Sequence, residues 1–278
     1  MQLMKSILIT GCSSGIGYDA ATTLHEQGWQ VLATCRQQKD CDSLEQAGLT
    51  SFVLDYADES SVKAGAERAL ELTGGKVDAL FNNGAYATPG LTEDLPRGAM
   101  REIFEVNLFG QLELTNLLIP AMREKQHGYI INNSSVLGLA GMPFRGAYCA
   151  TKFAMEGLTD VLRLELSGSG IHVSLIEPGP VTTKIRENSV AHFEKWIDVE
   201  ASAQKERYQS VMIPRLYRDK GAPDKFELPP SAVTAKLLRI LNSPNPKPRY
   251  YVTTPTYLTG MLRRILSSRA LDRVLLKA

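Results

Sequence analysis

Short apolar runs alternate along the chain with longer segments whose apolar residues recur every three or four positions. The first kind, such as Ser6-Ile7-Leu8-Ile9 and Val31-Leu32-Ala33, reads as strand buried on both faces. The second kind, such as the stretch holding Ala20, Ala21 and Leu24, reads as helix with one apolar stripe. The pattern predicts strands near 5–10, 30–35, 51–54, 78–82, 129–134, 171–177 and 249–252. It predicts helices near 15–27, 59–73, 98–124, 146–167 and 230–242. Such alternation argues for βαβ units, and right-handed crossovers then cover both faces of one open parallel sheet. The expected fold class is α/β, a doubly wound parallel sheet. Ligands of such sheets sit beyond the carboxyl ends of the strands. Gly11, Asn82 and Ser135 all fall at such ends and are expected to meet in one cleft.

Three stretches depart from the alternation. Residues 184–228 mix apolar and aromatic side chains with many charges and read as a lid or pocket wall. Ser243-Pro244-Asn245-Pro246-Lys247-Pro248 reads as a rigid connector before the last strand, not a domain boundary. The whole span 1–278 is therefore taken as one domain. In the extension 256–278, Leu258, Met261, Leu262 and Ile265 share one helical face, as do Leu271, Val274 and Leu275. Arg263, Arg264, Arg269, Arg273 and Lys277 accompany them. A basic amphipathic helix of this kind either makes a weak contact with an anionic membrane surface or packs on its own domain; the second is favoured.

Composition narrows the function classes. The net charge of +1 over 278 residues provides no basic field for nucleic acid. No apolar stretch reaches the roughly 18 residues that a spanning helix needs. Cys12, Cys35, Cys41 and Cys149 form no disulfide-like or C-x-x-C pattern. With no secretory signal ahead of the first strand, free thiols in a cytoplasmic setting are expected. His25, His127, His172 and His192 have no ligand spacing, and no metal site is assigned.

The chemistry concentrates in two places. Tyr148 and Lys152 are four residues apart, hence on one face of a helix, with Ser135 thirteen residues before the tyrosine. A phenol with a pKa of about 10 is inert at neutral pH. A neighbouring ammonium is expected to lower that value and make Tyr148 a proton donor and acceptor. Ser135 is then placed to hydrogen-bond the substrate oxygen, a bond that strengthens as charge builds there. Taken alone, a helical Tyr–Lys pair is usually a surface pair, and a serine in that place merely ends a strand. The second place is Thr10-Gly11-Cys12-Ser13-Ser14-Gly15-Ile16-Gly17, between the first strand and the first helix. Glycines there let the backbone approach a pyrophosphate, and the helix start offers free N–H donors.

Taken in order, these motifs resemble the short-chain dehydrogenases/reductases, in their plain single-domain branch. The resemblance runs from about Lys5 to about Thr183. It rests on the glycine turn, Asn82-Asn83-Gly84-Ala85, Asn107, Ser135, Tyr148-x-x-x-Lys152 and Pro178-Gly179-Pro180-Val181-Thr182-Thr183. It implies a Rossmann-type sheet of strand order 3-2-1-4-5-6-7. It implies that Lys152 also binds the nicotinamide ribose, and that Asn107 holds a water relaying protons from Lys152. It further implies an adenine contact for Asp55, nicotinamide carboxamide contacts for Val181 and Thr183 after Pro178-Gly179, and a cofactor contact for Asn83. The usual Asn-Asn-Ala-Gly is here Asn-Asn-Gly-Ala, which moves a glycine by one place. A homodimer or homotetramer is the expected assembly.

Cofactor choice follows from the end of the second strand. Val31-Leu32-Ala33-Thr34-Cys35-Arg36 carries no acid to bond a ribose hydroxyl. Arg36 supplies a fork for a 2′-phosphate, and Ser13 a second donor, so NADP(H) is expected; otherwise Arg36 is a solvated loop residue. The nameable pocket walls, Tyr86, Leu137, Leu139, Met142 and Phe144, suggest a lipophilic carbonyl or alcohol. The details are similar to those of hydroxysteroid and retinol dehydrogenases and bacterial aldehyde reductases. Two alternatives stand beside an oxidoreductase: a non-catalytic NADP(H)-binding sensor or scaffold, and an epimerase or dehydratase of the extended branch.

Overall fold

A computed structural model describes residues 5–218 and 224–276. The first half runs β1 (Ser6–Thr10), α1 (Gly15–Glu26), β2 (Gln30–Cys35), α2 (Gln38–Gln46), β3 (Thr50–Val53), α3 (Glu59–Leu72) and β4 (Ala79–Asn82). There follow α4 (Arg97–Phe104), α5 (Gly110–Glu124), β5 (Gly128–Asn133), α6 (Gly146–Glu165), β6 (Ile171–Glu177) and α7 (Ile185–Trp196). The chain ends with α8 (Lys205–Arg207), α9 (Ile213–Leu216), α10 (Ser231–Leu241), β7 (Arg249–Tyr251), α11 (Thr254–Ile265) and α12 (Ser268–Leu275). The seven strands form one parallel sheet in the order β3-β2-β1-β4-β5-β6-β7, as expected. The order reverses at β1, where β2 and β4 flank it. That reversal is the switch point at which such sheets bind ligands.

Alternation along the strands divides the core. Ile7, Ile9, Ala33, Phe81 and Ile131 face α1 and α10 through Ala20, Leu24, Val233 and Leu237. Leu8, Leu32, Leu80, Ile130 and Val173 face α3 and α5 through Val62, Ala66, Leu114 and Leu118. A third cluster lies under the segment after β6, where Phe193, Tyr208, Met212 and Leu216 pack on Leu91 and Phe144.

Two differences from the sequence pattern matter for the site. The helix expected over 98–124 is broken by a π-turn at Glu105–Phe109, which carries Asn107. Single π-turns of this kind gather at functional sites because they turn one side chain out of register. The segment 184–228 holds α7, α8 and α9 over its described part, and residues 219–223 lie outside the described residues. At the other end α11 packs on the domain: a Cβ on Gly260 would stand 2.6 Å from the Tyr251 ring. Its successor α12 has no buried residue, and Lys277 lies outside the described residues. No helix among the described residues is long and apolar enough to cross a membrane.

Candidate active site

A cleft of about 430 Å³ opens beyond the carboxyl ends of β1, β4, β5 and β6. Its floor is the glycine turn. Gly11 and Gly15 adopt φ of +69° and +59°, the left-handed region that disfavours any side chain. A Cβ on Gly17 would stand 2.3 Å from the Gly11 carbonyl oxygen, so the turn closes on α1 only with glycine there. Ser14 caps α1 with its backbone alone, and the first turn holds no acid. The helix start therefore keeps free N–H donors and an unopposed positive dipole end. Gly11, Ser13, Ser14, Gly15 and Ile16 all line the cleft, and this cradle fits a dinucleotide pyrophosphate.

Hydrogen bonds among the strand ends hold that floor in place. Asn83 donates through Nδ2 to the Thr10 and Gly11 carbonyls, and its Oδ1 accepts from Asn133 Nδ2 at 2.9 Å. The Thr10 hydroxyl accepts from the Asn83 and Gly84 backbone N–H groups and from the Tyr56 phenol. The displaced glycine borders this floor. Gly84 has an ordinary φ, and a Cβ on it would stand 3.3 Å from the Tyr56 ring, a tight contact. A Cβ on Gly11 would lie 2.7 Å from the Gly84 Cα, so it is position 11 that the close approach requires to be glycine.

On the opposite wall stand Ser135, Tyr148 and Lys152, all buried and all lining the same cleft. The Ser135 hydroxyl accepts the Leu137 N–H and stands close enough to the Tyr148 phenol to favour its ionised form. Lys152 donates to the Asn133 carbonyl at 2.7 Å, and its Nζ lies 5.6 Å from the centroid of the Tyr148 ring. The expectation of a lowered phenol pKa is corrected. Burial pushes Tyr148 up to about 12, with Ser135 offsetting part of that rise. Burial also brings Lys152 down to about 7, against the pull of Glu156. A cation itself on the edge of neutrality lends little field to its neighbour, so desolvation dominates both groups. The site as folded holds a neutral phenol, ready to give a proton.

Asn107 is fully buried, and both ends of its amide are engaged. Oδ1 accepts the Tyr86 N–H at 3.0 Å, while Nδ2 donates to the Tyr86 carbonyl and the Thr151 hydroxyl. Its side chain thus clamps the strand-end loop to α6, and it does not line the cleft.

After β6, Pro178, Gly179, Val181 and Thr183 line the cleft. The Thr183 methyl sits over the glycine turn, 3.2 Å from where a Gly15 Cβ would be. Arg36 and Asp55 stand outside the lining, at the ends of β2 and β3. Arg36 is exposed, and Asp55 accepts the Ala57 N–H in a turn. Of the named walls, Leu137 and Met142 line the cleft, whereas Tyr86, Leu139 and Phe144 are buried outside its lining.

The sequence reading missed two sets of residues. One is the buried acid cluster of Glu156 and Glu177 beneath Arg249, whose first member lies one helical turn after Lys152. The other is a group of arginines in the outer cleft, Arg145, Arg186 and Arg215. The i+4 spacing from Lys152 was the available signal for Glu156. The arginines come from separate segments and gave none.

Comparison with known proteins agrees with this geometry. The short chain dehydrogenase family matches residues 5–193. The chain is 37% identical over 273 residues to the uncharacterized oxidoreductase YbbO of Escherichia coli K12, covering 98% of this chain and 94% of that protein. It is 34% identical over 260 residues to human 17-beta-hydroxysteroid dehydrogenase type 1, covering 89% and 77%. Among solved structures, a short chain dehydrogenase/reductase from Burkholderia phymatum in complex with NAD superposes with a TM-score of 0.77. That pair is 25% identical, with 98% of this chain and 95% of the other covered. With its glycine cradle and its Ser-Tyr-Lys wall in one cleft, the chain belongs to the short-chain dehydrogenases/reductases, oxidoreductases acting on alcohol and carbonyl groups.

Proposed function

We propose that this protein is an NADP(H)-dependent oxidoreductase that interconverts a lipophilic carbonyl and its alcohol. The observation that carries the reading is the convergence of Ser135, Tyr148 and Lys152 on the cleft floored by the glycine turn. When bound, the nicotinamide dinucleotide supplies or accepts the hydride. In the reductive direction the neutral Tyr148 phenol gives its proton to the carbonyl oxygen as charge develops there. Ser135 donates to the same oxygen and holds it beside the phenol. Lys152, with a pKa brought near 7, restores the proton. In the oxidative direction the same groups act in reverse.

NADP(H) is preferred in this reading because Arg36 ends β2 where an acid would favour the unphosphorylated cofactor. Asp55 is assigned to the adenine. Residues 184–228 act as the lid, entered from Thr183, which sits over the glycine turn. The outward face of α6, with Phe153, Leu158, Val161 and Leu164 exposed, and Phe109 at the end of the π-turn favour a homodimer or homotetramer. The exposed basic helix α12 is assigned a weak contact with an anionic membrane surface.

The test is a panel of medium-chain aldehydes, retinoids and steroids assayed with NADPH and NADH separately. Tyr148→Phe is expected to abolish turnover while leaving NADPH binding within about twofold, since only the proton donor is lost. Arg36→Asp is expected to weaken NADPH by at least about tenfold and NADH little. Undiminished turnover by Tyr148→Phe refutes the assignment.

A further inference from the structure

The outer cleft carries more positive charge than a purely lipophilic substrate can use. Arg145, Lys184, Arg186 and Arg215 line it, against two acids, Asp224 and Glu227. Both acids have other work: Asp224 pairs with Arg218 at 2.8 Å, and Glu227 accepts the Asp224 backbone N–H at 2.6 Å. Arg145 is the most confined of the cations. It precedes α6 as its N-cap residue, three positions before Tyr148, and makes no side-chain bond to the helix. Its Nη1 reaches only the Phe144 carbonyl at 3.5 Å and the Met212 sulfur at 3.9 Å. No ion pair holds it among the described residues. Burial pushes its pKa down, with Arg215 and Arg186 pressing in the same direction and Cys149 and Asp224, neither bonded to its guanidinium, offsetting part of the fall.

A largely buried guanidinium without a carboxylate is costly, and like charges around it raise the cost. Guanidinium does not relieve that cost by losing its proton at accessible pH. The positive end of the α6 dipole adds to the field, with no acid in the first turn to oppose it. An arriving anion would satisfy all of these groups at once.

That anion is not readily the dinucleotide pyrophosphate. The glycine turn meets the lid at Thr183, whereas Arg145 meets Phe144 and Met212, in the wall that continues from Leu137 and Met142. We propose that the substrate is amphiphilic, with an anionic carboxylate or phosphate away from its reacting carbonyl, bound by Arg145 together with Arg186 and Arg215. The proposal rests on the oxidoreductase reading and narrows its substrate class. The apolar wall takes the chain, and the arginines take the charged end.

The experiment compares 8-oxooctanoic acid with its methyl ester under NADPH, and the binding of octanoate, octyl phosphate and octanol to the NADP-loaded protein by calorimetry. The acid is expected to be preferred over the ester by about tenfold in kcat/KM, the scale of one charge-assisted hydrogen bond. Octanoate or octyl phosphate should bind more tightly than octanol, and the tighter of the two identifies the head group. Arg145→Met should bring the acid-to-ester ratio to about one, and Arg215→Met, at an exposed position that folding does not need, should reduce it part of the way. Equal turnover of acid and ester, with equal binding of the three octyl ligands, overturns the proposal. So does an Arg145→Met variant whose NADPH affinity falls as far as its preference for the acid, because the guanidinium then belongs to the dinucleotide. Tighter octanoate binding without turnover of either aldehyde upholds the anion site and instead rejects the oxidoreductase reading.

Discussion

Lys152 is a long cationic side chain sealed from water, with the Asn133 carbonyl as its strong partner. An ammonium in that setting sheds its proton near pH 7, whereas the unfolded chain keeps it to the ordinary value of 10.5. Between those values the unfolded chain binds more protons, so Lys152 makes the fold more stable as pH rises. Glu177 acts in the opposite sense. Burial and the neighbouring Glu156 push it up to about 9 from the ordinary 4.5. Its stabilising contribution is complete below 4.5 and fades as pH climbs through 9. From pH 7 to 9 the two slopes oppose each other. The wild-type protein should therefore hold a nearly level stability over that range, while Lys152→Met should lose stability as pH rises. One titrating group changes the slope by at most about 1.4 kcal/mol per pH unit. Urea unfolding at pH 7, 8 and 9 measures it. Parallel curves for the two proteins would mean that Lys152 does not titrate in this window.

At the scale of elements, α6 organises the site by its period. Tyr148, Lys152, Glu156 and Asp160 follow one another at four-residue steps along one face. The first pair serves the cleft, and the second ties the helix to the sheet edge. Arg249 of β7 reaches Glu156 at 3.1 Å, Asp160 at 2.7 Å and Glu177 at 3.3 Å, joining α6, β6 and β7. Removing that cation takes the counter-charge from Glu156 and Asp160 and breaks their tie to the sheet edge, while Glu177, pushed up to about 9 and so protonated at neutral pH, loses only a contact. Arg249→Met should destabilise the protein by about 1–3 kcal/mol in thermal or urea unfolding, the scale of lost charge-assisted hydrogen bonds, and Arg249→Lys should recover part of it. A loss under about 1 kcal/mol would mean that the acids are neutral without Arg249. This tie also marks the limit of what the chain's pattern reveals. The seven strands were legible because apolar runs without polar interruption leave few alternatives. So were the glycine turn and the Ser-Tyr-Lys set, whose members have fixed spacings or follow a strand. Helix α2 was not, since only Cys41 and Leu44 are buried in it and two positions make no period. The π-turn at Asn107 was not, because apolar spacing runs through it unchanged. Arg249 lies 93 residues from Glu156 and 89 from Asp160, and no local rule pairs them. The fall of Lys152 toward pH 7 was hidden for a related reason: spacing shows which charges are near, not how dry they are.

Over the whole molecule, the sheet is covered on both faces, and the cleft lies along one edge of that sandwich. The last two helices differ in how they join it. Helix α11 is tied in: Gly260 fits against the Tyr251 ring, and Arg263 lies over the Phe153 ring at 5.1 Å. Helix α12 has no fully buried residue, only Ala270, Leu271 and Leu275 half-buried, and it carries Arg269 and Arg273 beside exposed Val274 and Leu276. A helix that adds no core contributes little to stability, so removing residues 267–278 should shift the unfolding midpoint only slightly and spare turnover. Removing α11 as well would expose Tyr251 and confuse any result. The narrow truncation therefore isolates the surface function of α12. Each arginine near an anionic bilayer contributes about 1 kcal/mol, so losing Arg269 and Arg273 should weaken binding by about thirtyfold. Co-sedimentation with phosphatidylserine-containing vesicles at low salt reads that change. Neutral phosphatidylcholine vesicles should bind neither form, and added salt should release the full-length chain. If the truncated protein sediments with anionic vesicles as well as the full chain does, α12 is not the contact.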